Sequence, residues 1–152
     1  LSTSVELRGC SPGTSYFGQV RAINELGDTP ADEGYWSFTT VPPQPGAFGK
    51  TSPNDLATLV GLNPTLSWSS SDWADSYEYC LDITDNGTCD SKWVENGANT
   101  TVELSDLTPW ETYYWQARAV NREGTTFADG LENHFWSFHT AFRMHLPLFL
   151  NQ

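Results

Sequence analysis

The stretch that decides the fold is LTPWETYYWQARAVNREG, residues 107–124. Between a Pro-containing turn and a Gly-containing turn, residues 112–121 alternate between two faces, and this period of two is typical of a β-strand. One face carries Tyr113, Trp115, Ala117 and Ala119. The other face carries Tyr114, Gln116, Arg118 and Val120. The apolar first face predicts a strand that packs on a core.

The same stretch occurs twice in the chain. The segment VELRGCSPGTSYFGQVRAINELGDTPAD, residues 5–32, matches VELSDLTPWETYYWQARAVNREGTTFAD, residues 102–129. Matched pairs include Tyr16 with Tyr113, Gln19 with Gln116 and Asp32 with Asp129, and WSFTT at 36–40 matches WSFHT at 136–140. A period of about 100 residues is the length of one β-sandwich domain. Because only four residues precede Val5, the sequence predicts one whole domain preceded by the C-terminal part of another.

Composition excludes several classes of protein. The 152 residues include 19 acidic and 7 basic side chains, for a net charge of −12, which repels nucleic acid and anionic membranes. Aromatic residues make up 14% of the chain, too many for a disordered acidic tail. The longest apolar run, HLPLFL at 145–150, is too short to cross a bilayer. We therefore expect neither a nucleic-acid partner nor a membrane span.

Four further segments show strand periodicity: 65–69, 76–84, 100–107 and 135–140. In the second of these we expect alternate residues to face the core, namely Tyr77, Tyr79, Leu81 and Ile83. The intervening residues, Glu78, Cys80 and Asp82, are expected to face outward. Short strands separated by turn residues predict an all-β sandwich, and VPPQPG at 41–46 predicts a stiff linker.

These segments resemble fibronectin type III domains. Residues 10–27 and 107–124 are similar to the E–F region of that family, Leu-x-Pro-Gly-Thr-x-Tyr followed by alternating apolar residues, Ala-x-Asn and Gly. The closest variety is found as tandem repeats in secreted bacterial proteins. The resemblance implies a seven-stranded Greek-key β-sandwich, with Tyr16 and Tyr113 as its tyrosine corners. Trp110 departs from the pattern, because the family usually has Gly there.

The resemblance also implies a division of the chain. Residues 1–41 are expected to be the E, F and G strands of one fibronectin type III-like domain, residues 42–46 a linker, residues 47–141 a complete domain and residues 142–152 an apolar tail. If Leu1 is the mature N-terminus, another molecule must supply the strands that the first domain lacks. Otherwise a longer natural chain supplies them.

The cysteines suggest a compartment. Cys80 and Cys89 flank a turn between the expected strands C and C′, so they can reach disulfide distance, and a disulfide implies an oxidising, extracytoplasmic setting. Their spacing does not fit a CxxC redox motif, and no second pair is available for zinc. Cys10 stands where the other copy has Leu107. It is either a small buried apolar residue or the partner of a cysteine in another chain.

No segment has the pattern of a catalytic or metal site. The turn DITDNGTCD at 82–90 partly matches a calcium loop, but Trp93 stands where the closing Glu should be, so we interpret it as a hairpin turn. His134, His139 and His145 have no metal-ligand spacing and are expected at the surface. There is no G-x-S-x-G nucleophile elbow. We expect no catalysis, no metal and no cofactor.

Two groups of residues could serve binding or modification. Trp73, Trp93 and Trp110 lie in or beside turns, where they could stack on sugar rings, anchor a protein partner or cover the ends of the sandwich. Asn86 and Asn99 stand in the sequons NGT and NTT at predicted surface turns and are possible glycosylation sites.

The apolar tail leaves two alternatives. Its large residues either pack on the sandwich or form a strand donated to a neighbouring molecule, and they are Leu146, Leu148, Phe149 and Leu150. Pro147 limits a donated strand to a sheet edge or bulge. A three-stranded partial domain would leave large apolar side chains wet, at about 1.5–3 kcal/mol each, which favours donation.

The predicted function follows from these features. We expect a non-catalytic structural protein: a repeat module of a secreted surface protein, or an extracellular filament subunit that polymerises with other copies of itself. The alternative is a module that binds polysaccharide or a cell-surface protein, attached to a secreted enzyme or adhesin.

Overall fold

The computed structural model describes residues 4–142, so the predicted tail strand at 146–150 and His145 lie outside the described residues. Contacts divide the chain into two compact units, Leu1–Pro43, called unit 1, and Gln44–Gln152, called unit 2. The division falls within the predicted linker 42–46. Among residues 4–142 there is no helix long and apolar enough to cross a membrane.

Short strands dominate both units. Those of unit 1 are β1 Ser15–Gly18, β2 Arg21–Asn24, β3 Gly27–Pro30 and β4 Trp36–Thr39. Those of unit 2 are β5 Lys50–Ser52, β6 Ala57–Val60, β7 Thr65–Trp68, β8 Ser76–Asp82, β9 Val94–Glu95, β10 Thr101–Glu103, β11 Thr112–Asn121, β12 Gly124–Phe127 and β13 Trp136–Thr140. A 3-10 turn, Ala128–Gly130, follows β12.

Unit 2 is a sandwich of two sheets. One sheet has the order β10-β7-β5. The other has the order β6-β13-β11-β8-β9, and β12 pairs with β11 beyond the end of β13. Neighbouring strands are antiparallel except β6, which runs parallel to β13. The predicted all-β sandwich is confirmed.

The core of unit 2 lies between the sheets and is aromatic. Trp115 is 0% exposed and Phe138 is 1% exposed. The predicted inward face of β11 is buried along its length. Trp68 of the facing sheet lies with its ring centroid 6.5 Å from that of Trp115. Alternating apolar residues on β11 therefore position the second sheet through direct ring contact.

The prediction for 76–84 was wrong at Cys80 and Asp82, which were expected to face outward, and at Ile83, which was expected to face the core. Cys80 and Asp82 are buried, whereas Ile83 is 63% exposed because β8 ends before it. The segment after β8 folds back over the outer face of the sheet. Its backbone N–H groups at Asp90 and Ser91 donate to the two carboxylate oxygens of Asp82, each at 2.9 Å. Alternation identified the two faces but not the loop that covers one of them.

A tyrosine corner closes the turn before β11. The Tyr113 hydroxyl accepts the backbone N–H of Thr108 at 3.0 Å. Thr140 closes the same turn from β13: its hydroxyl donates to the Thr108 carbonyl at 2.7 Å and accepts the Glu111 N–H at 2.9 Å. The turn thus has its backbone groups satisfied by two side chains on neighbouring strands.

Removing the Tyr113 hydroxyl should destabilise unit 2. Tyr113→Phe leaves the Thr108 N–H without its acceptor, and we expect the free energy of unfolding to fall by about 1–3 kcal/mol in urea titrations. Tyr114→Phe, on the opposite face of the same strand, is the matched control. Equal losses for the two variants would contradict a special role for the corner.

Candidate functional site

Unit 1 repeats the corner of unit 2 in detail. The Tyr16 hydroxyl accepts the Ser11 N–H at 2.7 Å, as Tyr113 accepts that of Thr108. Thr40 donates to the Ser11 carbonyl at 2.6 Å and accepts the Thr14 N–H at 2.9 Å. The ring of Phe38 stacks on that of Tyr16 at 5.5 Å. In unit 2 the corresponding distance is 5.6 Å. The sequence repeat is therefore also a structural repeat.

The two units differ in how far the apolar face of their strands is covered, that is, the face of β11 in unit 2 and the equivalent face in unit 1. In unit 2 the positions Ala117 and Ala119 are 0% exposed, beneath the facing sheet. Their counterparts in unit 1, Val20 and Ala22, are exposed, Val20 by 58%. Trp36 is 48% exposed. Among residues 4–43, nothing corresponds to β5 and β7, which belong to the facing sheet of unit 2, or to β8, which pairs with β11 in the same sheet.

The predicted E strand of unit 1 also fails to form. Residues 5–7 have no strand structure, and Val5 and Leu7 are 78% and 56% exposed. Their counterparts in unit 2 lie in or beside β10, where Val102 pairs with Leu66 of β7. A strand needs a partner to satisfy its backbone groups, and the described part of unit 1 has no counterpart of β7.

A buried lysine is the most unusual polar group of unit 2. The Lys50 side chain, on β5, is 0% exposed, and its Nζ lies 2.8 Å from Oδ2 of Asp129. Nζ also donates to Oε1 of Gln116 at 2.7 Å and to the His134 carbonyl at 2.8 Å. The ammonium therefore has two hydrogen-bond acceptors and a paired carboxylate, as a buried charge requires.

Aromatic rings and burial set the electrostatics of this site. The Lys50 ammonium lies 5.8 Å from the centroid of Trp115 and 5.4 Å from that of Trp136, within cation–π distance. Burial lowers the pKa of Lys50 below its ordinary 10.5, while the hydrogen bond and charge of Asp129, and the charge of Asp55, oppose that shift. The site therefore holds a cation at an electrostatic cost.

A gap in the strand pairing makes room for this lysine. β11 pairs with β13 as far as Trp115 and with β12 from Arg118 onward. Gln116 therefore faces the segment between β12 and β13, where its Nε2 donates to the carbonyls of Leu131 at 2.9 Å and His134 at 3.0 Å. The sequence placed Gln116 on the outer face of its strand, but it is 0% exposed. Lys50 was not expected at all. The available signal was the recurrence of Gln and Asp in both repeats.

Cys80 and Cys89 form a disulfide with a Cα–Cα distance of 6.0 Å. Cys89 lies in the loop after β8 rather than on a neighbouring strand, so the bond fixes that loop to the sheet. Both sulfurs lie within 4.8 Å of the Asp82 carboxylate, a spacing that suits a metal. The bonded sulfurs are not thiolates, however, and Asp82 is occupied by backbone N–H groups.

Thiol counting tests the cysteine assignment. Cys10 is a half-buried free cysteine in the structure. We expect one reactive thiol per denatured chain before reduction and three after it, measured with a chromogenic disulfide reagent. Three thiols before reduction would contradict the disulfide. No thiol before reduction would indicate that Cys10 is bonded to another molecule.

The three turn tryptophans have different surroundings. Trp93 lies over the Arg118 guanidinium at 4.3 Å and so covers the outer face of the sheet. Trp73 and Trp110 are 48% and 53% exposed, both at positive φ. Trp110 stacks on Phe142 at 4.0 Å. Trp73 therefore presents much of its surface to solvent, whereas one face of Trp110 is already occupied.

The remaining predicted positions lie at or near the surface. Asn86 and Asn99 are exposed. His139 is half-buried, with its Nδ1 3.0 Å from the Thr112 hydroxyl, and His134 is exposed. Asn86 donates from Nδ2 to the Asp90 carboxylate at 2.6 Å within its own turn. The turn 82–90 is thus held by internal hydrogen bonds.

No protein-family model matches the sequence, and no curated protein matches it. Solved structures of similar fold do exist. Domains d3–d4 of the rat CD45 extracellular region align with 91% of this chain and 70% of that chain, at 15% identity and a TM-score of 0.52. The FN1–FN3 domains of chicken CNTN1 align with 90% of this chain, at 16% identity and a TM-score of 0.49. This chain spans only 46% of the length of that structure.

At such identity the likeness shows the fold, and the fold is a fibronectin type III-like β-sandwich. The specific role of a chain with this fold depends on its own surfaces.

Proposed function

We propose that this chain is a non-catalytic structural module of a secreted surface protein built from tandem fibronectin type III-like domains. We further propose that unit 1 becomes a complete sandwich when strands with the pattern of β5, β7 and β8 pair with it. The observation that carries this proposal is a comparison of equivalent residues, which form the same contacts in the two units but differ in exposure. The same corner and ring stack occur in both units, yet the positions buried in unit 2 are exposed in unit 1.

Energetics support completion of unit 1. Four exposed apolar side chains of unit 1, each at least 48% accessible, correspond to residues that lie in or against the core of unit 2, and they are Val5, Leu7, Val20 and Trp36. Covering large apolar side chains contributes about 1.5–3 kcal/mol each. The described strands of unit 1 form only two-stranded sheets, β1 with β4 and β2 with β3, which are marginal in water by themselves.

Hydrogen exchange tests this proposal directly. In the 152-residue chain alone, we expect the β1 and β4 amides to exchange about a hundredfold faster, or more, than the equivalent amides of β11 and β13. Their intrinsic exchange rates, calculated from sequence, provide the correction. Equal protection of the two corners would show that unit 1 needs no further strands and would contradict the proposal.

The source of the missing strands distinguishes two forms of the proposal. In one, a segment of the same polypeptide supplies them, and the chain is a repeat in an array. In the other, a second copy supplies a strand from its apolar tail, and the product is an extracellular filament. Sedimentation velocity at increasing protein concentration separates these forms. Concentration-dependent polymers that disappear on Leu146→Ser, Leu148→Ser and Phe149→Ser substitution support the filament. A constant monomer contradicts it.

Localisation and glycosylation belong to the same proposal. The Cys80–Cys89 disulfide supports an oxidising compartment, in line with secretion. Asn86 and Asn99 are exposed, so both sequons are sterically open to a glycosyltransferase. Mass analysis of the protein from its native source would show a glycan at each modified asparagine.

A binding role is the second candidate, and Trp73 is the observation that favours it. A large side chain at φ 65° is energetically unfavourable by about 1–2 kcal/mol, yet this one is nearly half exposed. Exposed tryptophan is suited to stacking on sugar rings. Retention on a polysaccharide matrix that is lost in Trp73→Ala but kept in Trp93→Ala would support this role. The absence of retention would contradict it.

A further inference from the structure

The gap that admits Lys50 in unit 2 is present in unit 1 as well. β1 pairs with β4 up to Gly18, opposite Trp36, and β2 pairs with β3 from Arg21 onward. Gln19 therefore faces the segment between β3 and β4, as Gln116 faces the segment between β12 and β13. Because both gaps stand at the same register, they are a repeated feature of the fold.

Gln19 makes one of the contacts of its counterpart, and its Nε2 also donates to the Asp32 carbonyl at 3.4 Å. Its Nε2 donates to the Gly34 carbonyl at 3.1 Å. Gly34 lies two residues before Trp36. In unit 2, Gln116 donates to the His134 carbonyl at 3.0 Å, and His134 lies two residues before Trp136. Asp32 matches Asp129 in the repeat. Unit 1 thus has a glutamine, an aspartate and a carbonyl at the three positions that hold the Lys50 ammonium in unit 2.

The position of the ammonium itself is open in unit 1. A cleft of about 560 Å³ opens beside Gln19. It is lined by Gln19, Pro30, Ala31, Asp32, Glu33 and Gly34. Gln19 and Asp32 are exposed, whereas Gln116 is fully buried. Two carboxylates and no basic side chain line this cleft, so its charge suits a cation.

We infer that this cleft, called the lysine cleft, receives the ammonium of a lysine on the strand that completes unit 1. This inference rests on the proposed function and names the chemistry of the partner: an extended segment like residues 47–52, whose lysine enters the gap between β3 and β4. A lysine is favoured over an arginine because a compact ammonium has three donors for three separate acceptors. The lysine would select the strand and fix its register.

A peptide of residues 46–69 of this chain is the probe, since it contains β7 and also β5, of which Lys50 is the first residue. Its binding to the 152-residue protein is measured by fluorescence anisotropy of a dye on the peptide. A second peptide carries Lys50→Met. We expect the lysine peptide to bind about tenfold more tightly or better, since a buried, hydrogen-bonded charge pair is lost in the other.

Variants of the protein locate the binding site. Asp32→Asn should remove the preference for the lysine peptide, whereas Glu25→Gln removes the same charge elsewhere on unit 1 and should leave the preference intact. Coupling with a zero-length carbodiimide should join the peptide lysine to Asp32, as shown by mass spectrometry of the digest.

The outcomes separate this inference from the proposed function. Equal binding of the two peptides would leave strand completion standing but overturn the lysine cleft. A preference for lysine that survives in Asp32→Asn would also overturn it. Binding of neither peptide would contradict both the cleft and the completion of unit 1 by such strands.

Discussion

Replacing Lys50 with methionine is expected to lower the free energy of unfolding of unit 2 by about 3 kcal/mol, as measured by urea titration. The loss arises from the groups left behind. Asp129 would lose its ion-pair partner with only 21% of its side chain exposed, and the His134 carbonyl would lose its ammonium donor. Lys92→Met, at an exposed position, is the control and should change stability by no more than about 0.5 kcal/mol.

A double-mutant cycle isolates the ion pair. Asp129→Asn removes the charge while keeping a side chain that tolerates the positive φ of 57° at this position. We expect Lys50→Met with Asp129→Asn to cost less than the sum of the two single changes, because neither charge remains unpaired. Strict additivity would show that the pair contributes nothing.

The burial of Lys50 also predicts how the free energy of unfolding depends on pH. Since burial lowers the pKa of Lys50 in the folded state below the unfolded value of 10.5, the unfolded chain binds more protons between the two pKa values. The contribution of Lys50 to stability therefore rises with pH across that window and is lost as pH falls through the folded pKa. The difference in unfolding free energy between wild type and Lys50→Met should increase as pH approaches 10.5. A flat or falling difference would contradict this assignment.

Replacing Trp115 with alanine is expected to have the second large effect, a loss of about 3–5 kcal/mol in unfolding free energy. Trp115 is 0% exposed and contacts the rings of Trp68 and Trp136, at 6.5 and 6.2 Å between centroids. Alanine would leave a cavity between the sheets. A domain of this size has a free energy of unfolding of only about 5–15 kcal/mol, so this loss would remove a large part of the stability of unit 2.

Two further variants serve as comparisons for Trp115→Ala. Trp115→Phe keeps an aromatic ring and removes an indole N–H that has no hydrogen-bond partner within residues 4–142, so its loss should be smaller, about 1–2 kcal/mol. Trp73→Ala, at a half-exposed turn, should change stability by less than about 1 kcal/mol. If Trp73→Ala cost as much as Trp115→Ala, the core would not be centred where the structure places it.

Local sequence pattern was sufficient to predict the β-sandwich. Alternation along residues 112–121 identified the buried face of β11, because side chains in a strand point to opposite sides at every step. The resemblance to fibronectin type III domains implied the corner that Tyr113 and Thr108 form. Spacing around one turn was sufficient to pair Cys80 with Cys89, since residues close in sequence need little tertiary information to meet.

Only the tertiary structure decided what covers each face. Alternation divides a strand into two sides, but Cys80 and Asp82 became buried because a loop folds back over them. Lys50 and Gln116 are 66 residues apart, and their contact depends on a gap between two other strands. Val20 is exposed and Ala117 buried at equivalent positions because, within residues 4–142, the facing strands β5 and β7 belong to unit 2 and have no counterpart in unit 1. The sequence by itself therefore determined the central strands of the sandwich, its turns and the repeat. Burial and the polar network required contacts between residues far apart in the chain.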